Sequence, residues 1–146
     1  MSSSDPDDGF GATEQPPRVL GGAVPYLSLS DAGAAAEYYK EALGAVEVDR
    51  RPAQDGKRLL HCHLYINGGS VMLSDFFPEY GHPVEKPQAF VIHLQVEDAD
   101  EYWERATRAG MVVVMPLARQ FWGDRYGQLR DLFGVTWSFG ARAEEP

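Results

Sequence analysis

Apolar and polar positions follow two periods along this chain, and the same succession of periods occurs twice. Residues 32–43 carry Ala32, Ala35, Tyr39 and Ala42 at helical spacing, and residues 99–109 do the same with Ala99, Tyr102, Ala106 and Ala109. Asp31 and Asp98 stand where a carboxylate caps the first amides of a helix, and Gly44 and Gly110 where a left-handed residue ends one. The flanking segments predict strands at 24–29, 46–51, 59–66 and 70–75, then at 88–96, 111–116, 125–131 and 135–140. "LSDAGAAAEYYKEALGAVEV" (29–48) can be laid over "VEDADEYWERATRAGMVVV" (96–114), which points to a duplication. "NGG" and "DLFG" are the expected turns between the last two strands of each half. The expected architecture is α+β, two βαβββ modules at about 23–76 and 88–142 in one domain. Residues 1–22 and 143–146, rich in Ser, Asp, Gly, Pro or charge, are expected as tails, the first of them flexible.

Strand residues alternate faces, so the pattern also sorts side chains. One face collects Leu27, Leu29, Leu60, Cys62, Leu64, Ile66, Val71, Leu73, Phe90, Ile92, Leu94, Val96, Leu129, Val135, Trp137 and Phe139, and needs helices to cover it. The other collects Tyr26, Ser28, His61, His63, Tyr65, Met72 and Ser74 in the first module. In the second it collects Val91, His93, Gln95, Tyr126, Gln128, Arg130, Thr136 and Ser138. That second face is either solvated or the wall of a concavity, and three His with two Tyr on one face favour the concavity. Cys62 therefore belongs to the core rather than to a cluster with His61 and His63.

In "QFWGDRYGQ", Phe121, Trp122 and Tyr126 surround Asp124 and Arg125. The segment reads as an aromatic lip over a planar ligand, with Arg125 or Arg130 meeting an anionic group. It reads equally as a loop pinned by Trp122. The expected ligand-binding set is Tyr26, Ser28, His61, His63, Tyr65, Met72, Ser74, His93, Gln95, Trp122, Arg125, Tyr126 and Gln128. His61 and His63, at i and i+2, have a spacing that chelates zinc if a third ligand such as His93 approaches. Structural histidines bonded to Tyr or Ser are the alternative.

The net charge of −9 argues against nucleic acid and anionic membranes as partners. No apolar run approaches the roughly 20 residues that span a bilayer, and no secretory signal is evident at the N-terminus. With Cys62 as its one cysteine, the chain is expected in the reducing cytoplasm.

"PYLSLSDAGAAAEYYKEALGA", "GGSVMLSDFFPE", "HLQVEDAD" and above all "MPLARQFWGDRYGQLRDLFGVTW" resemble the vicinal oxygen chelate superfamily of glyoxalase I, bleomycin-resistance proteins and extradiol dioxygenases. The resemblance spans about 23–140 and leans toward the PhnB-like subgroup, although Leu132 stands where that subgroup usually has Pro. It implies a cupped, incomplete barrel with helices on the outer face, often completed in a homodimer. It also implies metal positions on the first and last strand of each module, which fall here on Val24, Met72, Val91 and Ser138. Those four side chains make a poor ligand set for a divalent ion. The expectation is thus a small-molecule-binding protein with no metal and no cofactor, holding an aromatic or heterocyclic ligand. The alternatives are a metal-dependent lyase or dioxygenase with a shifted His site, an isomerase with a His base, or an interaction module. No glycine-rich loop for S-adenosylmethionine is present.

Overall fold

A computed structural model describes residues 15–142. The first module runs β1 (Tyr26–Leu29), α1 (Ala32–Leu43), β2 (Val46–Pro52), β3 (Leu59–Ile66) and β4 (Gly69–Asp75). The second runs β5 (Ile92–Gln95), α2 (Ala99–Arg108), β6 (Val112–Arg119), β7 (Arg125–Arg130) and β8 (Thr136–Ala141). Each module forms an unclosed four-stranded sheet, in the orders β1-β4-β3-β2 and β5-β8-β7-β6. In both, the first strand lies parallel to the last and the remaining pairs are antiparallel. This is the duplicated βαβββ architecture, with one turn of 3₁₀ helix, Pro78–Tyr80, in the connection.

The predicted caps are made as the residue types require. Asp31 accepts from the Ala34 amide at 3.0 Å and Asp98 from the Glu101 amide at 3.1 Å. Gly44 ends α1 in the left-handed region, φ 69, where Arg105 of α2 donates to the last carbonyls of α1, Lys40 and Glu41. Asn67 and Gly68, both left-handed, close the β3–β4 hairpin as an Asn-Gly pair does best.

Both modules share one core, in which Tyr39, Cys62, Leu64, Leu73, Leu129, Trp137 and Phe139 are fully buried. Burial pushes the Cys62 thiol up to about 11, so it stays a protonated, apolar filler. The Tyr39 hydroxyl donates to Asp131, which also accepts from the Phe133 and Val135 amides and the Trp137 indole. That buried carboxylate ties α1 of one module to the β7–β8 turn of the other.

Three expectations need correction. Leu60 is 53% exposed and Leu59 is buried, because the β2–β3 register shifts between Arg51 and Pro52 and reverses the alternation there. Phe90 is also exposed, and β5 is four residues long rather than nine. Its upstream part contains Pro87, which has no amide to donate, and Ala89, which is left-handed at φ 69 rather than extended. β6 runs three residues beyond the expected 116, carrying Pro116 within a bulged strand at the sheet edge. Residues 1–14 and 143–146 lie outside the described residues. Residues 18–20 are held: Leu20 exchanges hydrogen bonds with Ser70, and the Tyr65 hydroxyl donates to the Arg18 carbonyl.

Candidate functional site

The expected ligand-binding residues divide between the polar faces of the two sheets. On the first sheet, Tyr26 OH and His61 Nδ1 share a hydrogen bond of 2.7 Å, and His63 Nε2 meets Ser70 Oγ at 2.7 Å. Met72 stands beside both Tyr26 and His63 in the ladder, and Ser28 beside Ser74. Tyr65 packs edge-on against His63 at 5.2 Å. With residues 18–20 bonded to Ser70 and Tyr65, His63 is only 2% exposed. Burial, then the neighbouring His61, lowers its pKa, opposed by Asp49. This half of the set reads as a tied-down hydrogen-bonded wall. Tyr26 and Ser28 also face a cavity of about 550 Å³ between β1 and the connecting segment, lined by Phe76, Glu85 and Gln88.

The second sheet places its polar face around a cavity of about 450 Å³. Of the expected set, His93, Gln95, Trp122 and Tyr126 meet there, joined by Val91, Asp124, Ser138 and Gly140. His93 and Ser138 are register partners on the parallel strands β5 and β8, and Nδ1 lies 2.7 Å from Ser138 Oγ. Nε2 lies 2.8 Å from Gln95 Oε1. With the Gln95 amide oxygen toward the ring, Nε2 is the donor of that bond and the Nδ1 of a neutral ring accepts from the Ser138 hydroxyl. Both nitrogens are thus engaged by side chains that fix the ring plane. Tyr126 stacks on that plane at 5.8 Å and 25°, Trp122 stands edge-on to Tyr126 at 5.9 Å, and Gln128 donates to the Tyr126 hydroxyl. Gly140 leaves the room this ring needs, since a Cβ there would lie 2.7 Å from His93 Cε1.

Arg125 lies elsewhere. Alternation along β7 puts it opposite Tyr126, where its guanidinium pairs with Asp100 of α2 at 2.7 Å. Val91, Asp124, Ser138 and Gly140 were not in the expected set. Val91 and Ser138 share the His93 face by alternation alone, a signal available in the sequence, whereas the approach of Gly140 to the imidazole is visible only in three dimensions.

The residues at the implied metal positions do not fit a divalent cation. Val24 and Val91 offer hydrocarbon, Met72 a thioether, and the Ser138 hydroxyl is already bonded to His93. His61 and His63 belong to one sheet and His93 to the other. Among the described residues, no three His, Cys, Asp or Glu side chains come together as a ligand set.

The model of the Glyoxalase/Bleomycin resistance protein/Dioxygenase superfamily matches residues 24–139. An uncharacterized protein of Mycobacterium bovis is 43% identical over 127 residues, covering 83% of each chain. Among solved structures, protein PA1353 from Pseudomonas aeruginosa superposes with a TM-score of 0.69 at 28% identity, covering 84% of this chain and 98% of its own. TioX from Micromonospora sp. ML1 superposes at 0.66 with 30% identity, covering 83% and 99%. A PhnB protein from Bacillus cereus, at 17% identity and 0.64 over 82% and 98%, shares the fold. No helix among the described residues is long and apolar enough to cross a membrane.

Proposed function

The chain belongs to the Glyoxalase/Bleomycin resistance protein/Dioxygenase superfamily, and we propose that it is a metal-independent binding member, holding a small planar aromatic or heterocyclic molecule on the second sheet. The observation that carries this reading is the fixed His93 plate, bonded at both nitrogens and stacked by Tyr126, with Trp122 beside it. Such a wall gives a flat ligand a preorganised stacking surface, and the half-buried Gln128 and exposed Gln95 amides supply orientation. Both imidazole nitrogens are engaged by side chains, Nδ1 with Ser138 and Nε2 with Gln95, which supports binding over proton abstraction and over metal ligation. The expected second copy of the chain has a candidate surface in β6, where Val112, Val113, Val114 and Met115 are all exposed on a sheet edge.

The test is a thermal-shift screen of aromatic heterocycles on protein stripped with EDTA, followed by calorimetric titration of the hits. Trp122→Ala is expected to weaken binding by about three- to tenfold, the worth of one aromatic contact. Stabilisation by no heterocycle, or only after a divalent metal is restored, overturns the reading.

A further inference from the structure

The polar face of the second sheet does not end at His93. Arg130 pairs with Thr136, Gln128 with Ser138, and Tyr126 with Gly140, so all six residues lie on one face in that order. At about 3.3 Å per residue, Arg130 and Tyr126 stand ~13 Å apart along the strand. Arg130 and Thr136 line a second cavity, of about 410 Å³, whose opposite wall is the connecting segment with Lys86 and Gln88. Pro87 lies close against the β7–β8 turn there, 3.6 Å from where a Gly134 Cβ would stand. The left-handed Ala89 bends the same segment.

The charges in this second cavity are one-sided. Ion pairs among the described residues engage Lys40, Arg50, Arg51, Arg58, Arg108 and Arg125, and include neither Lys86 nor Arg130. No carboxylate lines the cavity; Glu85 faces the neighbouring one, which Lys86 also borders. In a chain of net charge −9, two cations without carboxylate partners on one cavity stand out from the surrounding potential. A guanidinium, an ammonium and a hydroxyl together supply the donors an oxyanion takes.

We propose that Lys86, Arg130 and Thr136 form an oxyanion subsite at the far end of the stacking surface, so that the ligand class is an aromatic acid, a ring joined by a short linker to a carboxylate or phosphate. This deepens the proposed function and rests on it for the ring, while the anion subsite stands on its own residues. The subsite orients the ligand along β7 and β8, ring on His93 and Tyr126, acid toward Arg130.

The experiment has two arms. In the first, inorganic phosphate and acetate are titrated into full-length protein at constant ionic strength, and backbone amide resonances are followed. The amides of Ala89 and Thr136 should move with either or both anions but not with chloride, and the response should vanish in Lys86→Gln/Arg130→Gln while Trp122→Ala keeps it. Which anion moves them identifies a carboxylate or a phosphate as the acid. The second arm compares 4-(indol-3-yl)butyrate with its amide by calorimetry. The acid should bind about tenfold more tightly, and the double variant should abolish that preference without weakening the amide. No anion response beyond chloride overturns the subsite, and equal binding of acid and amide overturns its link to the ring. If neither indole compound binds while the anion response persists, the aromatic reading fails and the anion subsite survives.

Discussion

His63 and His93 each meet a serine hydroxyl at 2.7 Å, yet their surroundings separate their roles. His63 is buried beneath the segment around Leu20, and burial together with His61 holds its pKa below the ordinary histidine value. The unfolded chain titrates this residue near 6.5, so between the folded and unfolded values the unfolded state binds more protons. Its contribution to stability is therefore complete above about pH 6.5 and is lost as the pH falls through the lower folded value. Thermal melts from pH 8 to 5 should show the wild type losing more stability on acidification than His63→Gln, which has no charge to gain. Equal losses would contradict the assignment. His93 is exposed at its cavity, with its ring held by Ser138 and Gln95.

At the scale of the elements, the tightest constraint lies where β7 crosses beneath α2. A Cβ on Gly127 would stand 2.7 Å from a ring carbon of Trp103, 2.8 Å from Leu117 Cα and 2.9 Å from Leu117 N. The backbone of β6 cannot yield as a side-chain tip can. Gly127→Ala should accordingly cost about 1–3 kcal/mol, read as a lower urea midpoint at unchanged slope. Gly22→Ala, with nothing within 4 Å of its Cβ, should stay within about 0.5 kcal/mol. The elements themselves were legible in sequence because Asp31, Asp98, Gly44 and the Asn67–Gly68 turn have local causes for their conformations. The misreadings arose where tertiary geometry overrides alternation. A register shift moves Leu60 outward, and Ala89 takes a left-handed conformation within the expected extended run. Arg125 is placed on the α2 side, paired with Asp100. Its face follows from Tyr126 beside it, but its position in an aromatic segment suggested the ligand instead. The covering of His63 by residues 18–20 depends on a contact between residues 50 apart in the chain, Leu20 and Ser70, and leaves no local signature.

For the whole molecule, duplication has produced two sheets with different surfaces. The modules are joined through a common core and through Tyr39 with Asp131, so changes in either are felt by both. The first polar face is internally bonded and partly covered, whereas the second combines a stacking wall with Arg130 on one continuous strand face, and Lys86 of the connecting segment lines the cavity beside Arg130. In the proposed function, this second face binds aromatic ligands without a metal. The most direct measurement is an amide and indole NH chemical-shift titration of EDTA-treated protein with 4-(indol-3-yl)butyrate. The account predicts saturable shifts at the Trp122 indole and at the His93, Tyr126, Ser138 and Gly140 amides, with His61, His63 and Tyr65 unmoved. Shifts centred on His61 and His63, or shifts that appear only when a divalent metal is added, would contradict it.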